Sequence, residues 1–322
     1  MIDRWGRKIE YLRISVTDRC NFRCKYCMPE EGVAPLSHDD VLRFEEMLVI
    51  VKAASELGIN KIRVTGGEPL VRKGITGFIK ALRVIPGIED ISMTTNGSLL
   101  EKHAEKLKEA GLDRVNISLD SLDEKKFYDI TRGGNLEDVL RGIDSALTAG
   151  LAPVKINCVV TKGFNEDEIL DFVEITKRIP VHVRFIELMP LGEGNRSEFG
   201  FVSTAKLKRL INAELIPVEI KGNGPAKCFK IEGALGSIGF ISPMSGHICS
   251  RCNRIRLTAD GKLRPCLESE TEYDVKGLIR SGADTQEIKS FIRRVILSKP
   301  REHRMYTTYH KHTKRNMSQI GG

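Results

Sequence analysis

The sequence predicts an α/β fold: an incomplete (β/α)6 barrel of TIM type followed by a C-terminal α+β extension. Three observations carry this. Strand-like alternation and helical periodicity succeed one another at about 25–40-residue intervals as far as Pro190. The strands pair in parallel, because a parallel connection needs a helix-sized crossover. The chemically distinctive residues fall just after the strands, where barrels of this kind keep their working groups. After Pro190 the rhythm stops and LGEGNRSEFG is Gly-rich and polar, so the chain divides into residues 1–190 and 191–322.

The elements follow in order. YLRIS (Tyr11–Ser15) alternates as a strand and enters the loop RCNFRCKYC (Arg19–Cys27). Helical periodicity over Val41–Leu57 ends at Gly58. KIRVT (Lys61–Thr65) leads into GGEPL, and Gly74–Val84 is helical. DISMTTNG gives a third strand from Asp90, and Leu99–Ala110 a helix closed by Gly111. RVNISLD from Arg114, VKINCVV from Val154 and VHVRFIELM from Val181 complete six strands, with helices at Asn135–Ala149 and Glu166–Lys177. The extension reads as a helix over Ser203–Ala213, short strands through Ile241, a hairpin turning at Asp260-Gly261 and two late helices. The ending HKHTKRNMSQIGG reads as flexible.

A chain of 322 residues buries enough surface to fold without disulfide staples. The longest apolar run, Met47–Ala54, is broken by Lys52 and falls short of the roughly 18 residues a membrane span needs. The charged N-terminus lacks the apolar core of a signal peptide. A cytoplasmic protein without membrane contact is therefore expected. The net charge of +8 suits a protein that handles phosphates, on nucleic acid or on a small nucleotide, and does not choose between them.

Eight cysteines fall into two triads, with Cys158 and Cys228 apart and read as small buried apolar residues. In a reducing cytoplasm the pattern favours metal binding over disulfides. Three thiols at Cys20, Cys24 and Cys27 imply a metal centre. Zinc normally takes four protein ligands, whereas an iron–sulfur cluster can be held by three cysteines with one iron open. The second triad, Cys249-x2-Cys252-x13-Cys266, has His247 two residues ahead, which leaves a Cys3His zinc site and a three-cysteine cluster both open. Asp120 and Asp123 read as caps for a following helix rather than an acid–base pair. His38 and His103 read as helix-surface residues.

The spacing Cys-x3-Cys-x2-Cys with Tyr26 before its last cysteine, and GGEP (Gly66–Pro69) on the next strand, resembles the signature of the radical S-adenosylmethionine superfamily. Together with TTNG, NISLDSL, INCVV, RFIELMP, the second triad and the terminal Gly-Gly, the whole chain is similar to the GTP 3′,8-cyclase family, which opens molybdenum cofactor biosynthesis. The resemblance implies two [4Fe–4S] clusters facing each other across the barrel, one on Cys20, Cys24 and Cys27, the other on Cys249, Cys252 and Cys266. It implies S-adenosylmethionine on the open iron of the first, cleaved by an electron to a 5′-deoxyadenosyl radical that takes the 3′-hydrogen of GTP. C3′ then attacks C8, and reduction and protonation give a cyclic dihydroguanosine triphosphate.

Residue by residue, the resemblance assigns Tyr26, Gly67, Ser118 and Met189 to S-adenosylmethionine. It assigns Arg13, Arg63, Thr94, Lys155 and the run Arg254, Ile255, Arg256 to GTP, and adds Arg13, Gly321 and Gly322 to the catalytic machinery. Cationic side chains converging from different strands suit a triphosphate. An external electron donor and a homodimer are implied as well, and no nucleic-acid partner. The alternatives are a radical enzyme modifying RNA or a peptide with an auxiliary cluster, and a zinc-bound module for nucleic acid.

Overall fold

The computed structural model describes residues 1–195, 198, 200–222, 224–246, 248–305 and 315–321. Strands β1 (Tyr11–Ser15), β2 (Lys61–Thr65), β3 (Asp90–Thr95), β4 (Arg114–Ser118), β5 (Lys155–Lys162) and β6 (His182–Glu187) pair in parallel in chain order. Helices α1 (Phe44–Ser55), α2 (Ile75–Arg83), α3 (Ala104–Glu109), α4 (Glu124–Thr131), α5 (Leu136–Thr148) and α6 (Ile169–Arg178) fill the crossovers. The later elements are β7 (Gly200–Phe201), α7 (Thr204–Ile211), β8 (Ile216–Val218), β9 (Lys227–Lys230), β10 (Ser237–Ile241), β11 (Arg254–Leu257), β12 (Lys262–Arg264), β13 (Tyr273–Asp274), α8 (Val275–Arg280), α9 (Thr285–Leu297) and α10 (Met317–Ile320).

The chain beyond residue 190 extends the same sheet at both ends. β11 adds in parallel to β1, and β10 in parallel to β6. The result is an open arc of parallel strands in the order β11-β1-β2-β3-β4-β5-β6-β10, with antiparallel β12 and β13 beyond one end and β9 and β8 beyond the other.

Alternation along each strand explains how the arc both folds and holds a site. On β1, Leu12 and Ile14 face the helices and join a core with Ile62, Val64, Ile91, Met93, Val115 and Ile117 of the neighbouring strands and Met47, Ile50 and Phe78 of α1 and α2. The opposite phase places Tyr11, Arg13, Arg63, Asn116, Asn157 and Arg184 on the inner face, around a cavity. TIM barrels usually fill this space with branched apolar side chains. Here it is polar, so the interior is left for something other than packing.

Four details differ from the sequence reading. The helix expected over Leu99–Ala110 is a 3-10 turn at Leu100–Lys102 and then α3, with His103 as the joint. Two helices, not one, separate β4 from β5; the extra one is α4, capped by Asp123, whose carboxylate accepts from the Lys126 N–H at 2.9 Å. α1 begins at Phe44 rather than Val41, because Glu46 reaches back to the Arg43 N–H at 2.7 Å and fixes the first turn there. The ending expected to be flexible is structured over Arg315–Gly321, where the Arg315 guanidinium bridges Asp260 and Glu272 at 2.7 and 2.6 Å.

Candidate active site

The cysteine loop is fixed from several sides. After β1, the Arg23 and Lys25 N–H groups donate to the carbonyls of Thr131 and Ile130 at the end of α4. Phe22 packs edge-on against Phe127 with ring centres 5.9 Å apart. Tyr26 donates its hydroxyl to Asp120 at 2.6 Å, and Asp120 also accepts from the Val159 N–H at 2.8 Å. Burial pushes all three thiols up, Cys20 to about 11, Cys27 to about 12 and Cys24 well above its usual range. As free thiols they hold their protons, and ligation must displace them.

GGEP lies directly against this loop. Gly67 and Glu68 donate to the carbonyls of Thr17 and Arg19, each at 2.8 Å. A Cβ on Gly67 would stand 2.3 Å from the Arg19 oxygen, so only glycine permits the approach. Glu68 is fully buried; its carboxylate accepts from Asn96 N–H at 2.6 Å, Thr95 Oγ1 at 2.8 Å and Leu70 N–H at 3.0 Å. Burial raises its pKa to about 7. Glu68 thereby locks the GGEP turn to the TNG turn, whose Asn96 amide points at the Cys20 sulfur from 3.9 Å.

The basic side chains stand side by side across the arc. In the register Arg13 pairs with both Arg63 and Arg256, and Arg256 with Arg264. Arg114 is buried against Asp90, and Lys155 donates to the Lys221 carbonyl. Lys155 is pushed down to about 6 by burial and by Arg184, Arg114 and Arg63. Burial and the neighbouring Arg63 likewise bring Arg184 down to about 10. So many cations in a low-dielectric interior destabilise one another unless an anion joins them. Thr94 Oγ1, Asn157 Oδ1 and Tyr11 Oη are buried on the same cavity without a hydrogen-bond partner among the described residues.

The second triad sits on the far strands. Cys249 lies on a 3-10 turn (Ile248–Arg251), Cys252 precedes β11, and Cys266 follows β12. Burial alone would raise the Cys252 pKa, but Lys299 and Arg254 bring it down to about 7. Cys249 is pushed up by burial.

All six cysteines of the two triads open on one cavity of ≈ 320 Å3. They are free thiols. Among the described residues no three Cys, His, Asp or Glu side chains are gathered closely enough to share a single metal ion. The fit to iron–sulfur clusters rests on the donor set, three thiols on each side and no disulfide between them. His247, the possible fourth ligand of a zinc site, lies outside the described residues.

The cavity also gathers Arg13, Tyr26, Arg63, Gly67, Thr94, Ser118, Met189, Arg254 and Arg256. Lys155 is buried beside it, against Lys221 and Gly222. The Ile255 side chain points the other way, into the core. Gly321 is seated between the ends of β1 and β2, near Ser15 and Thr65, and Met317 and Ser318 of α10 line the cavity. Gly322 lies outside the described residues. Cys158 is buried as expected, whereas Cys228 is only partly so.

Sequence reasoning missed Asn116, Asn157 and Arg184, which share the inward phase of β4, β5 and β6 and could have been found from it. It also misplaced Asp120, which faces the cavity and holds Tyr26 instead of capping a helix. Burial raises the pKa of this carboxyl to about 6. Only Asp123 caps.

Residues 14–175 match the model of the Radical SAM superfamily, and residues 181–305 that of Molybdenum Cofactor Synthesis C. Two curated relatives named GTP 3′,8-cyclase cover the whole of this chain and are covered whole by it. The one from Thermodesulfovibrio yellowstonii is 54% identical, and the one from Moorella thermoacetica 51%. The solved structure of Streptococcus suis SuiB bound to S-adenosylmethionine matches 89% of this chain and 68% of that one with a TM-score of 0.59 at 16% identity, a likeness of fold. Among the described residues no helix is long and apolar enough to cross a membrane.

Proposed function

Because the chain belongs to the radical SAM superfamily and, within it, to the GTP 3′,8-cyclase family, we propose that it cyclises GTP to (8S)-3′,8-cyclo-7,8-dihydroguanosine 5′-triphosphate, the first step of molybdenum cofactor biosynthesis. The observation that carries this is one cavity bounded by both cysteine triads and by arginines of β1, β2, β6 and β11. Superfamily membership brings S-adenosylmethionine and a [4Fe–4S] cluster. Cys20, Cys24 and Cys27 are the residues to hold that cluster; Cys249, Cys252 and Cys266 hold a second one in this reading. When bound, the first cluster and S-adenosylmethionine supply the hydrogen-abstracting radical.

The chain's own residues bind, align and shield. Tyr26, Gly67, Ser118 and Met189 border the first triad and receive S-adenosylmethionine. Arg13, Arg63, Lys155, Arg254 and Arg256 neutralise the triphosphate, and Arg184 joins them from β6. Thr94 offers its unpaired hydroxyl to the nucleotide, and Ile255 contributes through its backbone. The guanine lies toward the second triad, which sets C3′ of the ribose toward the first. Gly321 sits at the mouth between β1 and β2, and Gly321 and Gly322 belong to the catalytic machinery in this reading. The reaction removes hydrogen from C3′, joins C3′ to C8, and takes up an electron and a proton, so an external electron donor is required. Residues 1–190 form the radical SAM partial barrel and 191–322 the extension that brings the second triad and the Gly-Gly tail, in a cytoplasmic homodimer.

The test is anaerobic reconstitution followed by iron counting and incubation with GTP, S-adenosylmethionine and a reductant. About eight irons per chain are expected, with 5′-deoxyadenosine and cyclised nucleotide formed together. Absence of 5′-deoxyadenosine, or its formation without cyclised nucleotide, would reject the assignment. Cys249→Ala is expected to halve the iron and abolish cyclisation; unchanged iron would reject the reading of the second triad.

A further inference from the structure

Lys299, two residues beyond α9, is a lysine with only 3% of its surface exposed. Its ammonium donates to the Arg254 carbonyl at 2.8 Å and to the Pro265 carbonyl at 2.7 Å, and Lys299 lines the same cavity as Cys252 and Cys266. Two of the three N–H donors of the ammonium are thereby committed to carbonyls that flank the cysteines. Pro265 adjoins Cys266, and Arg254 stands two residues after Cys252. One side chain therefore ties together the two arms of the β11–β12 hairpin that bring these cysteines to the cavity.

The segment that carries Lys299 is itself clamped. Trp5 donates its indole N–H to the Lys299 carbonyl at 2.8 Å. Arg7 donates to the carbonyls of Pro300 at 2.6 Å, Arg301 at 2.9 Å and Cys249 at 3.0 Å, while Asp3 holds its Nε at 2.6 Å. The N-terminal turn thus fixes both Lys299 and Cys249, the first cysteine of the triad. A cation held this firmly beside a thiolate has a charge that cannot swing away.

We propose that Lys299 is a positioning residue of the second triad, spacing Cys252 and Cys266 and setting a fixed positive charge against the Cys252 sulfur. The inference rests on the reading of Cys249, Cys252 and Cys266 as cluster ligands. Reduction adds a negative charge to a cluster, and a fixed neighbouring cation favours that state. Lys299 accordingly raises the reduction potential of the second cluster and leaves that of the first unchanged.

The test compares the full reconstituted chain with Lys299→Met, Lys299→Gln and Lys299→Arg, reading iron content and the midpoint potential of each cluster by EPR-monitored redox titration. The Cys249→Ala variant assigns the signals. The wild type and Lys299→Arg are expected to hold about eight irons and to share one second-cluster potential. In the two neutral variants the reduced form is expected to be disfavoured at least tenfold, a shift of about −59 mV for a one-electron couple, with the first cluster unmoved. Loss of half the iron in both neutral variants, with Lys299→Arg intact, supports the clamp equally. An unchanged potential at full iron in the neutral variants overturns the proposal, as does Lys299→Arg behaving like them. Half the iron in the wild type overturns the cluster reading of the triad itself and the inference with it, an outcome recognised from the unmutated protein alone.

Discussion

Arg256 donates from Nη1 to the backbone carbonyl of Gly321 across 2.6 Å, so the strand that runs between Cys252 and Cys266 holds Gly321 beside the ends of β1 and β2. Gly321 has φ +66°, and a Cβ there would stand 2.8 Å from Thr65 Cγ2. Gly321→Ala should therefore unseat the tail without disturbing the sheet. A fall in turnover of roughly tenfold or more is expected, with a loss of stability held to about 1–3 kcal/mol, the usual cost of overpacking at a buried position. Anaerobic turnover and thermal unfolding measured together check it; full turnover would show that the seat is dispensable.

Gly67→Ala brings a methyl to within 2.3 Å of the Arg19 carbonyl oxygen, where only backbone can move. Overpacking of this kind costs about 1–3 kcal/mol. The displaced part is the loop bearing Cys20, so the variant should lose the first cluster while keeping the second. Iron counting after reconstitution reads this as a fall by half, and full iron retention would contradict it.

Lys155, held down to about 6 by burial and its cationic neighbours, is largely neutral at pH 7 in the ligand-free protein. A triphosphate placed beside it reverses the electrostatics and restores the charge. Nucleotide binding should therefore take up about one proton per chain at pH 8. GTP affinity is highest below pH 6 and declines as pH rises toward the pKa of the bound state. Calorimetry in buffers of different ionisation enthalpy measures the uptake, and Lys155→Met should abolish it. Equal heats in all buffers for the wild type would refute the prediction.

Asp120 is raised from 3.8 to about 6 by burial. The folded state then binds its proton more tightly than the unfolded chain does. Its contribution to stability is fully present below about pH 4 and is lost as pH rises through about 6, an effect on the order of 3 kcal/mol. Guanidinium unfolding of the wild type and Asp120→Asn across pH 4–7 should show the difference between them changing in that sense. A constant difference would mean that Asp120 is ionised alike in both states.

The strands were legible because each alternates, and the cysteine loop and GGEP because chain neighbours make them. Arg13 and Arg63 could be placed by their phase. What stayed hidden depends on residues far apart in sequence. Nothing around Asp120 announces Tyr26, ninety-four positions earlier, as its partner. Glu68 reads as part of GGEP, yet its work is on Thr95 and Asn96 of the next strand. Nothing in the charged stretch SKPREHR marks Lys299 as buried; Arg7 and Trp5, nearly 300 positions earlier, hold that segment. The tail looks disordered because its order comes from Asp260, Glu272 and Arg256 rather than from its own residues.

The pairing of β11 with β1 also sets a timetable for synthesis. β1 leaves the ribosome first but stands inside the arc, with Tyr11 opposite Lys61 on one side and Arg254 on the other. One flank is filled early and the other must wait for most of the chain, a contact of high sequence separation that forms slowly. During that interval the first triad lies beside an unpaired strand edge, reachable from the side and prone to aggregation. The β11-facing side of β1 therefore stays open until residue 254 docks. Ribosome-arrested chains ending before β11 would display it as first-triad thiols that react faster with an alkylating reagent than those of the full chain.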